Sequence, residues 1–448
     1  MPDSAAPTAQ AKPQPLLSLF DAVTIMVGLV VGIGIFRTPA TVAGSVDSET
    51  MFLLVWVLGG VITLIGALCY AELASAHPHA GGEYHFLARA YGRPVALLFG
   101  WARCTVIQTG SIAAVAFALG DYAHQLWPLG PHGPALYAAV SVIVFTAVNT
   151  IGTVQSKRLQ VAVTCIELGA IVAIIVFGLL GTPADAPVPP PIVDPGTAAL
   201  GMAMVFVLLT YGGWNEAAYL SGELKDPQRN VARMLIIGTA VLVALYLLTN
   251  YALLSILGLD GLRGSSVVAT EMMQHVAGPA GGTVVALAIV VAAMSTLNAT
   301  IFTGGRVFYA MACDLRIGRW MGIWDGRGKT PANALLAQGL WALALIALAT
   351  RHLDGFSAMV NYTAPVFWGF MLLVALALFV LRWRYPQRAL PYRVPLYPLV
   401  PALFVVFCTY MLHSGLQYAG QAGWIGLAVL VAGLPLLLFV RRGHAMDA

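Results

Sequence analysis

The chain has 448 residues, of which 59% are hydrophobic and only 9% are charged. A soluble globular domain carries about 25% charged residues, so this composition excludes a soluble enzyme, a disordered chain and a nucleic-acid-binding protein. The formal net charge is +4, and the length accommodates roughly a dozen membrane-crossing helices of ~20 residues joined by short loops.

Hydropathy predicts twelve apolar segments that fill most of the chain. The polar residues 1–15 before them lack the pattern of a signal peptide, and we expect a disordered cytoplasmic tail there. Pro183–Pro195 is expected to be an extended loop, and Gly261–Gly278 to include a short surface helix. The predicted spans are, in chain order, 16–43, 51–76, 95–122, 134–151, 158–181, 198–221, 233–258, 281–312, 333–350, 356–383, 397–417 and 422–440.

The 23 Lys and Arg residues are distributed unevenly over the predicted loops. With the N-terminus inside, 19 of them fall on the inner side, Arg263 and Arg351 fall outside, and Arg37 and Arg103 lie within spans. Cytoplasmic loops of membrane proteins carry the excess of positive residues. The distribution therefore predicts an integral membrane protein with twelve spans and with both termini in the cytoplasm. We expect its location to be a bacterial inner (plasma) membrane.

Two of the predicted spans contain clustered glycines at mid-membrane depth. Gly28, Gly32 and Gly34 interrupt the first span, and Gly212 and Gly213 interrupt the sixth. Glycine weakens a helix, and a broken helix is tolerated in a bilayer only where it is buried in protein or lines a cavity. Interruptions at corresponding places of two halves are typical of a transporter's binding site. The alternative is close helix packing through small residues.

The spacing of the two breaks predicts an internal repeat. They lie five spans apart, and an odd number of spans turns the second copy upside down in the membrane. The expected organisation is a first repeat of five helices (16–181), an inverted second repeat (198–384) and two further helices (397–441).

Several motifs around the breaks resemble those of the amino acid-polyamine-organocation (APC) superfamily, and of its L-type amino acid transporters in particular. The resemblance runs from about Leu19 to Phe439 and implies a LeuT-type fold with helices 1 and 6 broken. It also implies a secondary active transporter that moves amino acids by alternating access, without catalysis and without a cofactor. The motifs are Gly32-Ile-Gly-Ile-Phe36, Tyr70-Ala-Glu-Leu73, Pro78-His-Ala-Gly-Gly-Glu-Tyr84, Tyr211-Gly-Gly-Trp-Asn215, Glu223-Leu-Lys-Asp-Pro-Gln-Arg-Asn230, Ser295-Thr-Leu-Asn298, Arg306-Val-Phe-Tyr309 and Pro391-Tyr-Arg-Val-Pro-Leu-Tyr-Pro398.

The candidate substrate-binding residues surround the two breaks. The second half of helix 1 begins with unpaired N–H groups and a partial positive charge, which attract a carboxylate, and carbonyls freed at the breaks accept from an ammonium group. Relatives carry Ser or Thr where this chain has Ile33, and often an aromatic gating residue where it has Leu209, so the resemblance implies a wider pocket here. The predicted residues are Val31, Gly32, Ile33, Gly34, Ile35, Leu209, Tyr211, Gly212, Gly213, Trp214 and Asn215.

A charged side chain within a span is costly and usually functional. Relatives carry a Lys in helix 5 that takes the place of a sodium ion, whereas this chain has Glu167. The coupling candidates, to H+ or Na+, are therefore Gly28, Glu167, Ser295 and Thr296. The alternative is a glutamate that serves packing, protonated or paired with Arg103.

Arg37 and Glu216 follow the two breaks and are the gate candidates. We expect a pair between them on the outer side, either as a gate or as a fixed structural ion pair.

The five cysteines lie in apolar runs without metal-ligand spacing, so no metal site is expected. The predicted outer loop 121–134 contains no cysteine, which argues against a disulfide-linked heavy chain. The partners expected are an amino acid and the lipid bilayer. The alternatives within transport are a polyamine or amine carrier and an amino acid exchanger.

Overall fold

The structure is a computed structural model that describes residues 18–78, 82–151, 157–182, 196–222, 224–314, 320–323, 331–350, 354–388 and 390–439. Its regular elements are helical throughout this part of the chain. The expected tail (1–15) and the expected loop Pro183–Pro195 lie outside the described residues.

The helices follow the apolar segments closely. In chain order the α-helices are α1 (Leu19–Val30), α2 (Gly34–Ala43), α3 (Glu49–Ala76), α4 (Gly82–Tyr91), α5 (Arg93–Ala102), α6 (Thr109–Leu126), α7 (Gly133–Ile151), α8 (Lys157–Leu180), α9 (Gly196–Thr210), α10 (Pro227–Gly264), α11 (Val268–Asp314), α12 (Ala332–Ala349), α13 (Gly355–Arg384), α14 (Leu399–Tyr418) and α15 (Gly420–Val431). A π-helix (Arg103–Gln108) joins α5 to α6, and two 3-10 helices cover Trp214–Gly222 and Leu434–Phe439.

Every predicted span coincides with a helix or with consecutive helical pieces. Among the described residues, nine helical segments are long and apolar enough to cross a membrane, and two shorter apolar helices add to them. The first predicted span is divided into α1 and α2, and the sixth into α9 and the 3-10 helix that follows it. The chain is thus an integral membrane protein built from helices. The sequence analysis missed α4, because its mixture of polar and apolar residues was assigned to a loop.

Two glycines bend the long helices α10 and α11. Gly258 (φ 63°) and Gly278 (φ 71°) adopt the left-handed conformation that favours glycine. The expected single surface helix within Gly261–Gly278 is therefore two helical pieces, one at the end of α10 and one at the start of α11.

Small residues bring the helices around the two breaks close together. A Cβ atom on Gly59 of α3 would lie 2.3 Å from Val207 of α9, and one on Gly110 of α6 would lie 2.2 Å from Thr363 of α13. Close approach through glycine is a common means of packing helices in lipid, where no hydrophobic effect drives helix association. A Cβ on Gly34 would stand 3.5 Å from the Thr210 hydroxyl oxygen, so the two breaks are neighbours in space.

Candidate functional site

A cavity of about 280 Å³ lies where the two broken helices meet α6, α11 and α13. Residues of both breaks contribute to its wall, as do polar side chains of α6 and α11. Ligand cavities of membrane transporters lie at such interruptions, because only there does backbone have free polar groups.

The break of the first span exposes a helix N-terminus at the cavity. The chain leaves the helical conformation at Val31 (φ −65°, ψ 104°) and becomes helical again at Gly34. The N-cap residue of α2 is Ile33, which provides no side-chain hydrogen bond to the first turn. Gly32, Ile33 and Gly34 all line the cavity. A helix start without a side-chain cap carries a partial positive charge, so this wall of the cavity favours an anionic group.

The break of the sixth span adds a second stretch of backbone to the cavity wall. α9 ends at Thr210, and the next residues form a tight turn in which the Gly212 N–H donates to the Leu209 carbonyl at 2.9 Å. Gly213 has a φ of 100°, a conformation that residues with a side chain rarely adopt. Gly212 and Gly213 line the cavity.

Twelve of the seventeen predicted site residues line this one cavity. These are Gly28, Gly32, Ile33, Gly34, Glu167, Leu209, Gly212, Gly213, Asn215, Glu216, Ser295 and Thr296. The side chains of Val31, Ile35, Tyr211, Trp214 and Arg37 lie outside the cavity wall, and all five are buried. Trp214 packs on Tyr70 with ring centroids 4.9 Å apart, and Tyr211 packs on Trp56 and Tyr246. The aromatic residues of the second break therefore contribute to the core of the helix bundle.

Glu167 reaches the cavity from α8 with an unsatisfied oxygen. The residue is 3% exposed, and its Oε1 has no hydrogen-bond partner within the part of the chain that the structure describes. Gly28, Ser295 and Thr296 line the same cavity. Arg103, the partner that one alternative gave to Glu167, pairs instead with Glu83 and Glu216.

The prediction of an Arg37–Glu216 pair is wrong. The two residues belong instead to two separate ion clusters. In the Arg37 cluster, the guanidinium lies 3.0 Å from Asp121 and 3.0 Å from Asp354. In the Arg103 cluster, the guanidinium lies 3.3 Å from Glu83 and 2.9 Å from Glu216.

The two clusters lie far apart along one helical membrane span. Arg103 and Asp121 belong to the continuous helix formed by α5, the π-helix and α6, and 18 residues separate them. That separation corresponds to roughly 27 Å at ~1.5 Å per residue. Glu83, Arg103 and Glu216 line the cavity directly, whereas Arg37 lies over the ring of Phe356, which lines it.

Glu83 of α4 is a site residue whose role the sequence analysis missed. It is 4% exposed and accepts hydrogen bonds from Tyr70 (2.8 Å) and from the Asn215 side chain (2.8 Å). Its signal in the sequence is its place in the motif Pro78-His-Ala-Gly-Gly-Glu-Tyr84, which follows helix 2.

Other side chains of the cavity wall were also missed. Gln108 lies at the end of the π-helix, and its amide donates to the Thr300 carbonyl at 3.0 Å. A polar amide within an apolar span was a usable signal, and π-helices occur frequently at functional sites. Apart from Ser295 and Thr296, nothing in the local sequence marks the lining residues of α11 and α13, because the tertiary fold alone brings them here. The missed lining residues include Gln108, Ser111, Thr300, Thr303, Phe356, Thr363, Phe367 and Trp368.

The whole sequence resembles amino acid transporters. The sequence profile of the family described as "Amino acid permease" matches residues 17–434. The serine/threonine exchanger SteT of Bacillus subtilis is 29% identical over 442 residues, covering 96% of this chain and 97% of that protein. The human b(0,+)-type amino acid transporter 1 is 28% identical over 403 residues, covering 88% and 81%. The human cystine/glutamate transporter is 26% identical over 427 residues, covering 94% and 84%.

These relatives are transporters and not enzymes, and the motifs quoted above lie within the matched region. Because the family profile covers nearly the entire sequence, the chain belongs to the amino acid permease family.

Proposed function

We propose that this permease is a secondary active transporter that holds an amino acid in the 280 Å³ cavity and releases it by alternating access. The observation that carries the proposal is the convergence of both helix breaks, with the uncapped start of α2, on that one cavity. The substrate carboxylate binds the N–H groups of Gly32, Ile33 and Gly34, and backbone carbonyls of the breaks accept hydrogen bonds from its ammonium group.

The remaining wall favours a neutral amino acid side chain of small or medium size. The wall combines the polar groups of Gln108, Ser111 and Thr300 with apolar residues of α13. Among the described lining residues the one cation is Arg103, and it is already paired with two carboxylates. An acidic substrate side chain would lie near Glu83 and Glu216 without a free positive partner among the described residues. A hydroxyl or aliphatic side chain meets no such penalty.

The two ion clusters are proposed to be the two gates. The excess of Lys and Arg on one side supports twelve spans with both termini in the cytoplasm, and the spacing of the two breaks supports a five-plus-five inverted repeat. We place the protein in a bacterial inner membrane. In that orientation the Arg37 cluster closes the outer end of the cavity, and the Arg103 cluster closes the cytoplasmic end. The Arg37 cluster links α2 to α6 and α13, and the Arg103 cluster links the 3-10 helix after the second break to the π-helix and α4. When a cluster breaks, the half of the broken helix that it holds is free to move.

A second candidate substrate is an organic amine. The unpartnered Glu167 carboxylate at the cavity supports it, because a cationic group would satisfy that oxygen. Exchange of one amino acid for another is a variant of the first candidate, supported by the name of the Bacillus subtilis relative.

Uptake into proteoliposomes tests these proposals. Purified protein should accumulate radiolabelled serine or leucine, and unlabelled amino acids should compete with this uptake. Serine amide lacks the carboxylate, so neither it nor putrescine should compete. Preloading the vesicles with unlabelled amino acid should accelerate uptake if the protein is an exchanger. Competition by putrescine or serine amide at the same concentration as serine would reject the carboxylate-binding site and favour the amine.

A further inference from the structure

A second cavity, of about 250 Å³, lies away from the substrate site, between the C-terminal ends of α3 and α13 and the loop that leads to α14. Its wall includes Glu72 and His77 from the end of α3, Arg382 from the last turn of α13, and Arg388 and Arg393 from the loop. None of these residues lines the substrate cavity.

The only carboxylate in the wall is fully engaged within the protein. Glu72 is 2% exposed, and its Oε1 accepts a hydrogen bond from Arg382 Nε at 2.6 Å. Its Oε2 accepts from the second guanidinium nitrogen of Arg382 and from the Val394 N–H at 2.7 Å. Glu72 and Arg382 therefore neutralise each other's charge.

Two further arginines of the wall have no acidic partner. Arg388 donates from Nε to the Ala76 carbonyl at 2.9 Å, and neither Arg388 nor Arg393 forms an ion pair within the described ranges. Burial and the neighbouring Arg89 lower the pKa of Arg388, as expected for a cation surrounded by positive charge. Because Glu72 and Arg382 neutralise each other, Arg388 and Arg393 leave the cavity with an excess of about two positive charges.

The histidine in the wall does not offset this excess. Burial, together with the charges of Arg388 and Arg89, lowers the pKa of His77 to about 3. His77 is therefore neutral at physiological pH, and the guanidinium nitrogen Nη1 of Arg89 lies 3.3 Å from its Nδ1. The preference of the cavity for an anion does not depend on the histidine.

Exposed apolar side chains adjoin residues of this region along the chain: Trp383 directly follows the wall residue Arg382, and Leu396 directly precedes Tyr397. Trp383 is 82% exposed and Leu396 is 73% exposed, and the Tyr397 ring lies 3.7 Å below the Arg382 guanidinium. Trp and Tyr are enriched where a membrane meets water, and basic pockets between helices at that level bind lipid head groups. The neighbouring surface therefore favours a ligand with acyl chains over a free ion.

We propose that the cavity between the ends of α3 and α13 binds the phosphate of an anionic phospholipid. Arg388 and Arg393 donate to the phosphate oxygens, since a guanidinium matches phosphate geometry with paired N–H groups. The acyl chains of the lipid lie along the surface that carries Trp383 and Leu396. The bound lipid connects the ends of α3 and α13 and stabilises their packing.

The test measures thermal unfolding of the purified full-length protein in detergent with added phosphatidylglycerol, phosphatidylcholine or inorganic phosphate. Phosphatidylglycerol should raise the Tm, because a ligand that binds only the folded state stabilises it. Replacing the two arginines that lack an acidic partner (Arg388→Gln with Arg393→Gln) should weaken the apparent lipid affinity about 100-fold, at about tenfold for each lost charged hydrogen bond. The matched control, Arg229→Gln with Arg233→Gln, removes two exposed arginines at the start of α10 and should keep the full response.

Arg393→Gln alone provides the second test if the double variant does not fold, because the Arg393 side chain makes no hydrogen bond within the described residues. It should show about tenfold weaker binding, and Arg393→Lys should restore part of the loss. An equal rise in Tm with inorganic phosphate would assign the site to a soluble phosphate compound and overturn the lipid proposal. An equal rise with phosphatidylcholine, or an unchanged response of the arginine variants, would also overturn it.

Discussion

The buried charged residues of this permease fall into two kinds. Arg37, which is buried, and Arg103, which is partly buried, each lie between two carboxylates, so the charge of each guanidinium is compensated. Glu167 is also buried but leaves Oε1 without a partner in the described structure. An unpaired buried charge is expensive, so Glu167 needs a proton or a cation that the protein itself does not supply. This makes it the coupling candidate at the residue scale.

Glu167→Gln tests that role. The substitution keeps the shape and the hydrogen-bonding capacity of the side chain but removes its ability to ionise. We expect uptake to persist. Its dependence on pH, or on sodium, should flatten, because the apparent affinity for the coupling ion should fall at least about tenfold. The measurement is proteoliposome uptake across pH 5.5–8.5, with and without sodium. Glu49→Gln, an exposed carboxylate in the first turn of α3, is the control and should change neither dependence. A Glu167→Gln protein with the pH and sodium profiles of the original chain would rule the coupling role out.

Residue identity was easier to predict from the sequence than residue pairing. Glu167 and the glycines of both breaks were found because charge and glycine in an apolar span are unusual. The Arg37–Glu216 pair was wrong because each residue has other partners, which the fold brings from elsewhere in the chain: Asp121 and Asp354 for Arg37, and Arg103 for Glu216. Sequence distance from a break contains no such information. Glu83 was missed because its partners come from three other elements.

At the scale of elements, glycine clusters predicted both breaks, but the sequence did not reveal how other helices stabilise them. The hydroxyl of Tyr246 on α10 donates to the Val30 carbonyl at 2.9 Å, which satisfies an acceptor freed where α1 ends. The π-helix is stabilised in the same way, since the Thr105 carbonyl accepts from Tyr362 (2.9 Å) and Trp341 (2.8 Å). Hydropathy and helix propensity describe neighbours along the chain, so contacts of this kind remain hidden until the fold is known.

Gly213→Ala tests whether the second break depends on a glycine conformation. At a φ of 100°, an alanine costs about 1–3 kcal/mol of backbone strain, so the variant should unfold at a lower temperature and transport poorly. Gly169→Ala is the matched control within α8. A Cβ there would meet nothing within 4 Å, and alanine should stabilise that helix by about 0.5–1 kcal/mol. Fluorescence-monitored unfolding of both purified variants gives the comparison. Equal changes in Tm for the two variants would show that the conformation at Gly213 is not required.

At the scale of the whole molecule, two ion clusters accompany the cavity: the Arg103 cluster lines it, and Arg37 of the other cluster contacts Phe356 in its wall. The Arg37 cluster connects α2 to the end of α6 and the start of α13, and the Arg103 cluster connects the π-helix to α4 and to the 3-10 helix after the second break. Alternating access requires that the two ends open one at a time. Two distant clusters with separate partners meet this requirement, because either can break while the other persists.

Weakening each gate should therefore expose the cavity to opposite sides of the membrane. A Thr300→Cys reporter in the cavity wall, in a chain whose five native cysteines are replaced, can be labelled with a membrane-impermeant thiol reagent. With Arg37→Gln, labelling of right-side-out vesicles should increase several-fold, because Asp121 and Asp354 then repel each other. With Glu216→Gln, the increase should occur in inside-out vesicles, because Arg103 keeps only Glu83. Glu49→Gln should leave both rates unchanged. Increases on the same side for both gate variants would contradict the assignment of two opposed gates.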